Sequence, residues 1–99
     1  MTGEKQSKGG NMKTVVEVVE VENEGLAALL GKSVLLMCAN YFYAGTLVGV
    51  NDTCVKIKDP QIVYETGQWS ASSWSDAQKM HAESWYIRIG AIESFGEGK

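Results

Sequence analysis

Arg88 is the single arginine in this 99-residue chain. A guanidinium binds phosphate through paired hydrogen bonds and stacks on bases, the chemistry of a nucleic-acid contact. The alternative role is a salt bridge to Glu93 or Asp52. Lys56 and Lys58 recur at the two-residue period of a strand, which sets both on one face. That face either meets phosphate or is simply solvated. Lys32 follows a candidate helix, where a cation suits the helix dipole. Asn51 and Asp52 are turn formers that can also line a site. Tyr41, with Phe42 and Tyr43, sits at a hairpin tip, and such aromatics either stack single-stranded bases or pack a core or interface. Trp69, Trp74 and Trp85 flank a polar stretch and suit loop packing or contact with a neighbouring subunit.

No catalytic arrangement is legible. The chain has one histidine, His81, and two cysteines, Cys38 and Cys54. These are too few and too scattered for a structural zinc site, which takes four N or S ligands. Neither cysteine has a base partner readable in the sequence, and no phosphate loop or nucleophile elbow occurs. The expectation is a protein that is not an enzyme and uses neither metal nor cofactor. Both cysteines lie in apolar runs and read as free buried thiols of a reducing compartment. The N-terminus lacks the apolar region of a signal peptide, and no run approaches the roughly 20 apolar residues of a membrane span. The cytoplasm is the expected location. The net charge of −3 excludes a general polyanion binder. Any nucleic-acid site must therefore be local, built from a few cations concentrated by symmetry.

Elements must position these groups. Residues 1–12 are polar and glycine-rich and read as a disordered tail. Residues 14–22 (TVVEVVEVE) favour extended structure, although their spacing also suits a helix. Asn23 is a candidate N-cap and Gly31 a candidate C-cap glycine for a short helix over 24–30. Two apolar runs, 34–39 and 42–50, meet at Ala39–Asn40–Tyr41 and read as a hairpin. Both are apolar on both faces, so both faces must be covered. Gly45 and Gly49 mark bends in the second run. After the turn at 51–53, residues 54–58 alternate as a half-exposed strand. Pro60 then interrupts the ladder, and 61–66 continue as an edge strand. The polar stretch 67–84 reads as a long loop, with Ser75 and Gln78 as a capping box for one or two helical turns over 76–81. Residues 85–89 and 91–95 read as two last strands, and 96–99 as a tail. The domain reading is one unit over 13–96.

This order resembles that of the Sm, LSm and Hfq proteins. Residues 29–52 are similar to the first Sm motif: a helix ending in Gly31–Lys32, a strand, a turn, then Gly45–Thr46–Leu47–Val48–Gly49 and an acidic turn at Asn51–Asp52. Residues 86–92 are similar to the second motif, with Ile89 standing between Arg88 and Gly90. The chain also resembles divergent Sm-like proteins of marine metagenomes and cyanophages, which would place it in a bacterial host cell. The family carries an Asp, an aromatic and an Asn in the loop after its second strand. Here those positions hold Asn51, Thr53 and Val55, so the aromatic stacker and the amide reader are missing.

The resemblance implies a mainly β fold: a five-stranded, strongly bent antiparallel barrel with a short N-terminal helix. It implies a homo-oligomeric ring joined through the late strands, with Tyr86, Ile87, Ile92 and Phe95 at the interface. It implies binding of single-stranded RNA, with DNA left open, through Arg88, Asn51, Asp52, Lys56, Lys58 and Tyr41, in RNA processing or regulation. The rival expectation is a structural or protein-interaction ring that binds no nucleic acid.

Overall fold

The computed structural model describes residues 24–99. The tail at 1–12, the run at 14–22 and the Asn23 cap lie outside the described residues.

The protein is mainly β. Six antiparallel strands form one sheet that does not close on itself. They are β1 (Ser33–Cys38), β2 (Phe42–Val50), β3 (Cys54–Glu65), β4 (Asp76–Lys79), β5 (Ser84–Arg88) and β6 (Ile92–Glu97). The order across the sheet is β4-β3-β2-β1-β6, and β5 also pairs with β3. β4 lies along the second half of β3 and β5 along the first half. Between them, Asp59 N–H donates to Glu83 O and Met80 N–H donates to Pro60 O. The two short strands are thus halves of one edge, broken opposite Pro60.

The hairpin of β1 and β2 forms as expected, with Met37 opposite Phe42. Two core clusters explain the two-sided apolar pattern of β1, whereas β2 is covered only in part and leaves Val48 exposed. Val34, Leu36 and Cys38 of β1 enter the first, with Leu47, Val55, Ile57 and Ile87. Leu35 enters the second with Ala44 and Val63, and Trp74 and Ala77 pack over it.

Several expectations are corrected. The short helix over 24–30 is a single 3-10 turn, Leu26–Leu29, starting from Gly25 rather than Asn23. Gly25 and Gly31 both hold left-handed φ angles, +83° and +86°, and the span between them is too short for an α-helix. Leu26 and Leu29 still reach the first cluster. The helical turns over 76–81 are instead β4, because Ala77 and Gln78 find ladder partners in Val63 and Ile62. Residues 61–63 are not an edge: they pair with β2 on one side and β4 on the other, and Glu65 beyond them pairs with β4 alone. Pro60 is fully buried at the interruption, and Asp59 before it takes φ +52°. Cys38 is buried but Cys54 is only half-buried. The tail over 96–99 is pinned: Gly98 N–H donates to Ser33 O at 2.8 Å. Among the described residues, no helix is long and apolar enough to cross a membrane.

Candidate nucleic-acid interface

Strand alternation builds a polar face on β3 and β5. Val55, Ile57 and Ile87 turn into the first cluster. Cys54, Lys56 and Lys58 therefore turn the other way, and each has a β5 residue directly opposite: Arg88, Tyr86 and Ser84. Side chains opposite each other in an antiparallel pair share a face. The result is a two-strand patch carrying Lys58, Lys56, Tyr86 and Arg88, with cations along β3 about 7 Å apart, twice the strand rise. Lys56 Nζ lies 5.7 Å from the centre of the Tyr86 ring, a cation–π contact. Tyr86 itself is 61% exposed.

None of Lys56, Lys58 and Arg88 is ion-paired among the described residues, where Lys32 Nζ pairs with Glu97 Oε2 at 3.1 Å. Arg88 thus makes no bridge to Glu93 or Asp52, and Lys32 serves a strand pairing rather than a helix end. Asp52 flanks the Arg88 end of the patch, while Asp59 and Glu83 flank the Lys58 end.

The turn at 51–53 is joined to Arg88 through the backbone: Ile89 N–H donates to Thr53 O at 2.8 Å. Asn51 is beside the patch, but its amide oxygen is engaged. It accepts from Thr53 N, Thr53 Oγ1 and Cys54 N at 2.8, 3.0 and 2.9 Å. These bonds make Asn51 the keystone of the turn, with its NH₂ group left as the donor it can offer. Val55 is fully buried and cannot contact a base.

Tyr41 is not brought to this patch. It precedes β2, whereas the 51–53 turn follows it, and Tyr41 packs edge-on against Tyr43 with ring centres 6.3 Å apart. Beside the 39–41 turn, burial raises the Tyr43 hydroxyl pKa, helped by Cys38 and Tyr41. Of the expected interface residues, Tyr86 joins the cationic face, Ile87 is core, Ile92 is half-buried against the core, and Phe95 is exposed. The aromatic member of the patch, Tyr86, was readable from its spacing: it stands two residues before Arg88, as Lys56 does before Lys58. Among the described residues, no three His, Cys, Asp or Glu side chains gather as a metal site.

No family model, curated protein or solved structure matches the chain.

Proposed function

We propose that this protein is an Sm-like, ring-forming protein that binds single-stranded RNA. The carrying observation is the face of Lys56, Lys58, Tyr86 and Arg88, a cationic and aromatic patch without ion-pair partners among the described residues, on a chain of net charge −3. Cations neutralise phosphates, and an exposed aromatic supplies a sequence-tolerant stacking surface. Tyr86 takes the stacking role that the turn at 51–53 lacks.

The barrel reading is part of the proposal. If β4 and β5 count as one broken strand, the element order is that of the five-stranded Sm-like barrel. Irregularities in β2 and β3 at Ala44/Thr46 and Leu47/Gly49 supply the bends such a barrel needs. Both outer strands keep one unpaired side. An edge of β5 in one copy pairing with an edge of β6 in the next removes both liabilities and closes a ring. Symmetry then repeats the patch around the ring, concentrating cations that a lone acidic subunit spreads too thinly.

A structural ring without nucleic acid is the second reading, favoured by the engaged amide oxygen of Asn51 and the net negative charge. The experiment is binding of labelled oligo-uridine and oligo-adenosine to the assembled protein at two salt concentrations. Three or four phosphate contacts give a slope of about −2 to −3 in log affinity against log salt, at about −0.7 per phosphate. Arg88→Ala should weaken binding about tenfold or more, and Arg88→Lys by less, because the charge is kept and the planar fork lost. No binding at low salt, or unchanged binding by Arg88→Ala, selects the structural ring.

A further inference from the structure

The loop between β3 and β4 builds a cage around one cation. Lys99 Nζ donates to three main-chain oxygens, those of Thr66 at 2.9 Å, Gln68 at 2.7 Å and Ser73 at 3.3 Å. An ammonium group has three donors, so all are used. Two indoles flank the ammonium, with Trp69 itself largely exposed. Nζ lies 4.8 Å from the Trp74 ring centre and 5.9 Å from that of Trp69. The indoles meet edge-on at 6.1 Å.

Contacts that do not involve Lys99 hold the loop in shape. Ala71 N–H donates to Gln68 O and Ser75 N–H to Thr66 O, so two of the three cage oxygens are fixed by the loop's own backbone. Trp74 is fixed from below by the second core cluster. The approach of the chain is equally specific. A Cβ at Gly98 would lie 3.0 Å from Val34 C and 3.2 Å from Trp74 Cζ2, so a residue without a side chain passes between β1 and the indole. Beside the cage a cleft of about 330 Å³, bordered by Gln61, Ser73, Trp74 and Asp76, opens to solvent.

We propose that the 66–75 loop is a receptor for a primary alkylammonium group, the head of a lysine side chain, and that Lys99 fills it in cis. Carbonyl dipoles aimed at three N–H bonds select an ammonium over a neutral group of the same length. The indole faces add attraction for the charge. With Lys99 withdrawn, the cage accepts a lysine head group from solution through the adjoining cleft.

The test follows the three indole N–H signals of the full chain by heteronuclear NMR. Lys99→Met should shift Trp69 and Trp74 while leaving Trp85, which reports an intact fold. Titrating n-butylammonium into Lys99→Met should move Trp69 and Trp74 saturably. The same additive should leave the parent unchanged, and n-butanol should leave both unchanged. An unsaturable or absent response in a folded Lys99→Met protein overturns the proposal, as does an equal response to n-butanol. The parent gives an independent reading. Ring currents should place the Lys99 ε-methylene protons upfield of those of Lys58 and Lys79, and coincident shifts overturn the proposal even if the variant fails to fold.

Discussion

Cys38 and Cys54 differ in ways their sequence surroundings do not reveal. Both lie in apolar runs, but Cys38 faces the first core cluster and Cys54 faces the cationic patch. Burial raises the Cys38 thiol pKa, and the nearby Glu93 charge adds to it. A thiolate is the reactive form, so Cys38 is protected both by access and by protonation. A maleimide reagent at pH 8 should label Cys54 first and Cys38 only after denaturation; equal labelling rates in the native protein would contradict this placement. The pH dependence has a definite sign. A raised folded-state pKa means the native protein holds this proton more tightly than the unfolded chain. The contribution of Cys38 to stability is therefore present below the ordinary thiol range and is lost as pH rises through it. The raised Tyr43 pKa works in the same direction at higher pH. Urea midpoints measured from pH 7 upward should fall, and Cys38→Ser should flatten the part of the fall nearest the thiol range.

At the scale of elements, the strands were legible wherever pattern and burial agree. β1, β2, β3 and β5 stand within a residue or so of their expected starts, because their apolar runs are bounded by Asn40, Asn51 and Gly90. β4 was not legible. Asp76–Lys79 is polar, exposed over most of its length and preceded by a helix-capping pattern. It is a strand because β3 offers it backbone partners, a tertiary cause that local sequence does not carry. The patch was half legible: Lys56, Lys58 and Arg88 by type and spacing, but not the pairing that sets Tyr86 against Lys56. The cage was hidden because main-chain oxygens build it and a lysine more than 25 residues away fills it. The spaced glycines look equivalent in sequence and are not. A Cβ on Gly45 would lie 2.8 Å from Lys58 O and 3.2 Å from Ile57 Cβ, whereas on Gly49 the nearest atom, Lys56 Cβ, is at an ordinary 3.4 Å. Gly45→Ala should cost about 1–3 kcal/mol, as overpacking does, and Gly49→Ala less than 1 kcal/mol by denaturant titration. Equal costs would mean that the strands yield at Gly45.

At the scale of the whole molecule, the unclosed sheet leaves two rims. Trp85 stands opposite Ile57 and Phe95 opposite Leu36, so both lie on the face of the first cluster, one on each outer strand. They are 41% and 43% exposed. Each is an apolar group beside an unpaired edge, and in the proposed ring one rim covers the other. Phe95→Asp should reduce the mass measured by light scattering to that of a monomer while circular dichroism stays β-like. Ile87→Asp should unfold the chain, because it places a charge in the core. Full assembly of Phe95→Asp together with Trp85→Asp would put the contact elsewhere.

The double burial of β1 has a further consequence. In most sheets a slip of one residue throws the apolar side chains into water, and that penalty fixes the alignment. β1 has no wet face. A slip would exchange Val34, Leu36 and Cys38 for Leu35 and Met37, trading a buried environment for a largely buried one. Hydrophobicity therefore aligns this strand only weakly, and alignment must come from shape. The tight turn at 39–41, the irregularity where β6 passes Met37 and Cys38, and the close passage of Gly45 against β3 act as its indexing marks. Substitutions at those three places should do more to scramble the strand than any exchange of one aliphatic side chain for another within it.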